Sequence, residues 1–242
     1  MESKDTEPAV QQAGRTPEPL SRLVEWVVSA LLVLGGLMFA ALGIGVYGGA
    51  NRSWIASLVD DGTIESTELT RAQLIDVVHG FAWWGGIGLL VTGALLIVGG
   101  VAFLAYRRRS RARREERGIT TPDTTTNAIV GGVVTVVVSA IPFSPVLGGA
   151  VSGYLQGTTR TDGARVGAYA GLVAAAPIVV LFAFFLIGFA ILASELGFVA
   201  PMLLGIVGLF VGLLLAVAYL VGLSALGGYL GVALGERDDV PA

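Results

Sequence analysis

Cysteine is absent from the 242 residues, which excludes disulfides, thiolate metal sites and cysteine nucleophiles. Lysine occurs once, at Lys4, and histidine once, at His79. The sequence also lacks GxxxxGK[ST], HExxH, GxSxG and any carboxylate-rich spacing that could hold a metal, so the common phosphate-binding, metalloprotease and serine-hydrolase layouts are missing. Charged residues make up only 14% of the chain, and the central portions of its long apolar runs carry none. Charges inside a membrane are costly and mark ion and proton paths. Their absence weighs against coupled transport and intramembrane catalysis, and the chain is expected to be non-enzymatic, with no cofactor and no metal. Glu25 and Glu195 lie near the ends of apolar runs, where water is expected to solvate them. His79, four residues before Trp83 at a membrane boundary, reads as an interfacial residue before it reads as a pH-sensitive group or a ligand.

Apolar residues are abundant. They make up 54% of the chain and come in runs of twenty or more, which no soluble core of this size could hide. An all-α, polytopic membrane protein follows. Its 35 glycines are about twice the usual share of roughly 7%, and they lie inside the apolar runs, where small residues let helices approach closely in lipid.

Residues 1–21 are polar and hold Pro8, Pro17 and Pro19, the pattern of a disordered tail. The run from Leu23 to Gly49 is too long for a signal-peptide core and follows an acidic preamble, so it reads as the first span, with Trp26 and Tyr47 at its interfaces. An acidic loop follows from Ala50 to Val78. Within it Leu69, Leu74, Ile75 and Val78, after Thr67 or Thr70 as N-cap, suggest a short amphipathic helix on the membrane surface. His79 then opens a second span that ends at Tyr106, which makes residues 22–106 an N-terminal helix pair.

The strongest orienting signal is the segment 107–124. Arg107, Arg108, Arg109, Arg111, Arg113, Arg114 and Arg117 stand there against Glu115 and Glu116, and positive loops stay in the cytoplasm. The N-terminus and this arginine loop are therefore expected inside the cell, in a multi-pass protein of the plasma membrane. The arginines would also meet anionic lipid headgroups. Without aromatic interleaving or an adjoining basic fold they do not suggest nucleic-acid binding.

Residues 125–235 read as a glycine-rich helical membrane domain, followed by a C-terminal tail over residues 236–242. As one helix, Thr125–Thr158 would reach about 50 Å, too long for a bilayer core of about 30 Å. The Ile-Pro-Phe-Ser-Pro sequence around Pro142 and Pro145 favours a helix break and a hairpin, which also returns Arg160 and Arg165 to the cytoplasm. Pro177 is expected to kink the next segment, and the last run, Ala200–Leu234, must tilt, kink near Gly222 or continue past the membrane. About six membrane segments result. Gly149, Gly153 and Gly157, then Gly163, Gly167 and Gly171, and finally Gly227, Gly231 and Gly235 recur four residues apart, each set placing a glycine-zipper packing face on one helix. The LGGYLG of the last run repeats the texture of LGGAVSGYLQG near Gly148.

From Asn127 to about Val180 the order of features is an apolar helix, the IPFSP turn, the LGGAVSGYLQG helix, the polar turn TTRTDGAR and a second small-residue helix. This order resembles small glycine-rich archaeal membrane proteins whose domain has no assigned function. The resemblance covers roughly the C-terminal half and implies a compact helical domain without implying any chemistry. Two functional readings follow: a packed-helix scaffold or envelope component able to self-associate as a homo-oligomer, or a passive channel or small-solute permease around the Pro142 to Pro145 break. In the second, Ser139, Ser144, Ser152, Tyr154 and Gln156 would line a polar route.

Overall fold

The computed structural model describes residues 22–117, 122–157, 159–195, 197 and 199–238. The expected disordered tail over residues 1–21 and the final residues 239–242 lie outside the described residues. Among the described residues there are seven helices and no strand: α1 (Arg22–Gly49), α2 (Arg52–Asp60), α3 (Arg71–Arg117), α4 (Thr124–Val137), α5 (Ser144–Gln156), α6 (Arg160–Glu195) and α7 (Val199–Asp238). Four of them, α1, α3, α6 and α7, are long and apolar enough to cross a membrane. Helices α4 and α5 have 14 and 13 residues, about 21 and 20 Å at 1.5 Å per residue, and neither alone reaches across a core of about 30 Å. Among the described residues the chain thus has four membrane-length helices and one short hairpin.

Helices α1 and α3 run antiparallel and meet at glycines seven residues apart. A Cβ placed on Gly36 would lie 2.6 Å from the Gly93 carbonyl oxygen, and one on Gly86 would lie 2.8 Å from the Tyr47 nitrogen. Nearer the arginine end, the Ser29 hydroxyl donates to the Gly100 carbonyl at 2.9 Å.

The loop between α1 and α3 differs from the expectation. Its surface helix is α2, begun by Asn51, whose side chain accepts from the Ser53 amide, and anchored by Ile55, which is 1% exposed. The segment expected to form an amphipathic surface helix, around Leu74 to Val78, is instead the first part of α3. Thr70 and Gln73 form a reciprocal capping box there: the Thr70 amide donates to Gln73 Oε1 at 3.0 Å and the Gln73 amide to Thr70 Oγ1 at 3.4 Å. These bonds satisfy backbone donors that a helix start otherwise leaves open. Two exposed ion pairs, Asp60 with Arg71 at 2.6 Å and Arg52 with Asp76, tie α2 to α3. The hydrogen bond from Arg71 holds the Asp60 carboxyl below its ordinary value.

The arginine segment 107–117 is not a loop. It continues α3 as helix, because nothing between Val101 and Arg117 breaks the pattern before Gly118 and Pro122. Arg114 and Arg117 lie in this helix, but their side chains are outside the described residues.

Helix α5 returns antiparallel to α4 after a turn in which Phe143 takes φ 63°, a left-handed conformation unusual for a residue with a Cβ. Pro145 sits in the first turn of α5, where its missing N–H costs nothing. Helices α6 and α7 are both continuous, through Pro177 and through Gly222 respectively. Helix α6 packs antiparallel to α7, while α5 runs parallel to α7. The outward faces are apolar, with Leu204 77% and Leu215 66% exposed, as suits side chains that face lipid tails.

Candidate functional site

The strongest concentration of buried polar groups lies where the N-terminal helix pair meets the α4–α5 hairpin. Glu25, in the first turn of α1, is 6% exposed, and Arg107 of α3 is 5% exposed. Glu25 was expected to be solvated at a helix end; α3 instead lays two guanidinium groups over it. Arg107 donates from Nε to Glu25 Oε1 at 2.7 Å, and Arg111 donates from a terminal nitrogen to the same oxygen at 2.6 Å. Arg107 also reaches α4, donating to Asp123 Oδ2 at 3.0 Å and to Thr126 Oγ1 at 3.2 Å.

Asp123 is itself the N-cap of α4, its carboxylate accepting from the Thr126 amide at 3.2 Å. One turn further, Asn127 Nδ2 donates to Gln156 Oε1 at 3.0 Å, and Gln156 Nε2 donates to Thr124 Oγ1 at 3.2 Å. The network thus joins α1, α3, α4 and the end of α5. Each buried charge has an opposite charge and further hydrogen bonds, the condition under which burying ions at low dielectric is tolerable. With its carboxylates and guanidinium groups committed to one another, the arrangement can hold four helix ends in register.

The second concentrated feature is the contact among α5, α6 and α7. A Cβ on Gly149 would lie 2.0 Å from the Ser224 carbonyl oxygen, on Gly153 2.1 Å from that of Gly228, and on Gly167 2.1 Å from that of Ser224. From the α7 side the contact with α5 is equally close: a Cβ on Gly227 would lie 2.1 Å from the Val146 carbonyl oxygen, and one on Gly231 2.1 Å from that of Ala150. Gly163 lies against Val232 and Gly228, and Gly171 against Leu220. The obstacles are mostly backbone atoms, so these helices are as close as their main chains allow. Ser224, fully buried, stitches the seam by donating its hydroxyl to the Pro145 carbonyl at 3.0 Å.

Two glycines of the expected faces do something else. Gly157, φ 58°, is the left-handed C-cap of α5 and touches no other helix; glycine suits this place because it carries no Cβ penalty. Gly235 lies half-buried near the end of α7, which runs on to Asp238 through part of the expected C-terminal tail.

Of the remaining residues singled out in the sequence, Pro142 is exposed in the turn and Pro145 is buried. Arg108 lies over the Trp26 ring at 5.9 Å, while Arg109 and Arg113 are exposed. Of the residues of the expected polar route, Ser139 and Tyr154 are exposed, Ser144 is buried at the start of α5, Ser152 donates to the Gly149 carbonyl at 2.7 Å, and Gln156 is held by Asn127. His79 is half-buried beside Trp83, ring centroids 6.2 Å apart, with its Nδ1 buried and without a hydrogen-bond partner among the described residues.

Sequence reading missed Gly131 on α4, which carried no marked face, Gly148 and Gly228, which form second faces on α5 and α7, and the seven-residue series Gly36, Gly43 and Gly86, Gly93, Gly100. Spacing by seven, searched alongside spacing by four, would have found the latter.

Four membrane-length helices, a short hairpin and a buried polar lock define a multi-pass helical integral membrane protein. Residues 125–234 match a family of unknown function (DUF5518), so a domain of unknown function occupies the C-terminal half, from the first turn of α4 to near the end of α7. No curated protein and no solved structure matches the chain. Helices α1 to α3 and the charges Glu25 and Arg107 lie outside the matched region.

Proposed function

We propose that the protein is a non-enzymatic scaffold or envelope component of the plasma membrane, with its N-terminus and arginine helix on the cytoplasmic side. The observation that carries this reading is the backbone-to-backbone seam of α5, α6 and α7 at Gly149, Gly153, Gly167 and Gly227. Its small residues are spent on packing, as in a glycine zipper, and the polar side chains near the helix break are engaged in local bonds or turned outward. The apolar outer faces leave room for self-association as a homo-oligomer, and the arginine helix is placed to meet anionic headgroups. The chain reconstituted into vesicles is expected to show no conductance and no solute flux across a broad panel, and to give defined crosslinked species. Reproducible flux abolished by substitutions around Pro142 and Pro145 would replace this reading with the passive channel.

The hairpin bears on the same question. Gly131 lies against Ala170 and Gly132 against Val173, so α4 runs beside the inner part of α6, and the turn at Ile141 ends well short of the far end of α6. We read α4–α5 as a re-entrant pair that enters and leaves by one face. A cysteine at Ile141 is then expected to resist a membrane-impermeant maleimide from either side, while one at Thr161 is labelled from the cytoplasm. The chain has no native cysteine to confuse the result. Labelling of Ile141→Cys from outside would restore a hairpin that crosses the membrane.

A further inference from the structure

We infer that the cleft between the first turn of α1 and the arginine end of α3 is a binding site for the phosphate of an anionic phospholipid headgroup. The cleft holds about 400 Å³, within the range of small-ligand sites of about 300–1,000 Å³. Arg22, Trp26, Leu104, Arg108 and Arg111 line it, with Glu25 at its base.

Its charge balance is uneven. Among the described residues Glu25 is the only carboxylate in the lining, and it is already bonded to Arg107 and Arg111. Arg22 and Arg108 have no carboxylate partner among the described residues, and Arg108 is held in place over the Trp26 ring. The cleft therefore presents guanidinium groups whose positive charge no carboxylate among the described residues neutralises. A phosphate offers several acceptor oxygens in the geometry that guanidinium forks match. The surroundings favour a lipid over a free anion. Trp26, 57% exposed, is an amphipathic ring suited to the headgroup level, and below it Leu104 and the apolar faces of α1 and α3 lead into the bilayer, where acyl chains would lie. The segment of α3 that carries Arg108 and Arg111 is helical, so the basic groups are fixed relative to the cleft and do not sweep freely over the membrane surface.

This inference deepens the headgroup contact proposed above by naming its site. It depends on the orientation reading only for which leaflet supplies the lipid. The test is native mass spectrometry of the intact chain in neutral detergent, titrated with dioleoyl phosphatidylglycerol, with dioleoyl phosphatidylcholine and with inorganic phosphate. Phosphatidylglycerol is expected to bind in preference to the other two. Arg22→Gln and Arg108→Gln are expected each to weaken it about fivefold, since each arginine near an anionic surface contributes on the order of 1 kcal/mol. Arg109→Gln and Arg113→Gln, which remove the same charge outside the cleft, are expected to leave it unchanged. All four side chains are exposed, and a thermal melt of each variant checks that the fold is retained. Equal weakening by all four would reduce the site to diffuse attraction and overturn the proposal. So would equal binding of phosphatidylcholine, or saturation by inorganic phosphate at the same concentrations. Because the binding assay is done in detergent, it is blind to orientation; the labelling of Thr161→Cys tests that separately.

Discussion

Glu25→Ala is expected to destabilise the protein by about 3–5 kcal/mol, the range found when one partner of a buried ion pair is removed. The carboxylate is 6% exposed and accepts from both Arg107 and Arg111. Its loss leaves Arg107, 5% exposed, with Asp123 as its only carboxylate partner among the described residues and removes the Glu25 bond of Arg111. Helix α1 would then be held to α3 at that end by the Ser29–Gly100 hydrogen bond, the Arg108–Trp26 contact and apolar packing, without a buried ion pair. The matched change Glu25→Leu with Arg107→Leu is expected to recover much of the loss, because replacing both charges with apolar groups removes the desolvation cost along with the attraction. Thermal unfolding in detergent, followed by sizing chromatography, measures both. If the single and double variants melt within a few degrees of the unmodified protein, the cluster is ornamental. Arg111→Ala is expected to cost about 1 kcal/mol, since Arg111 is 26% exposed and Arg107 still covers Glu25.

The second large effect is expected at Gly153. A leucine there places its Cβ 2.1 Å from the Gly228 carbonyl oxygen and 2.7 Å from the Gly228 Cα. Neither obstacle is a side chain that can rotate away, so α5 must leave α7 altogether. The cost is expected to reach or pass the upper end of the roughly 1–3 kcal/mol seen for overpacked cores, and the purified variant should aggregate or fail to accumulate. Gly212→Leu provides the contrast, because no atom lies within 4 Å of a Cβ built there. It is expected to fold normally, melting within about 1 kcal/mol of the parent, as surface changes do. Indistinguishable monodispersity and melting of the two variants would mean that the α5–α7 seam does not hold the domain together.

Much of the architecture is legible in the residues. Run length, the break at Pro142 and Pro145, and Thr70 as an N-cap each depend on local chemistry, and a local signal survives in one dimension. The surface helix was misplaced because its determinants compete locally: Asn51 caps α2, while the Thr70–Gln73 box commits the following residues to α3. Glu25 was misjudged for a different reason. A carboxylate in a first helical turn looks solvated until a helix 82 residues further along sets Arg107 upon it. Gly157 shows the limit of counting intervals, since the four-residue series continues past the point where α5 stops and the same residue becomes a cap. Gly148 and Gly228 show the converse: in an adjacent pair, each glycine serves a different neighbour, and a single-face reading sees only one.

The polar lock also bears on how separable the two halves of this molecule are. Asp123 caps α4 and receives Arg107, yet it lies just before the region that matches the family, and Arg107 and Glu25 lie further outside it. The matched region is thus a module whose first helix is finished by its neighbour. A version of this region placed behind a different leader is expected to lose stability unless it keeps an acid to cap that helix and a cation to neutralise it. The junction, more than the seam, is where a grafted or rearranged version of this domain would succeed or fail.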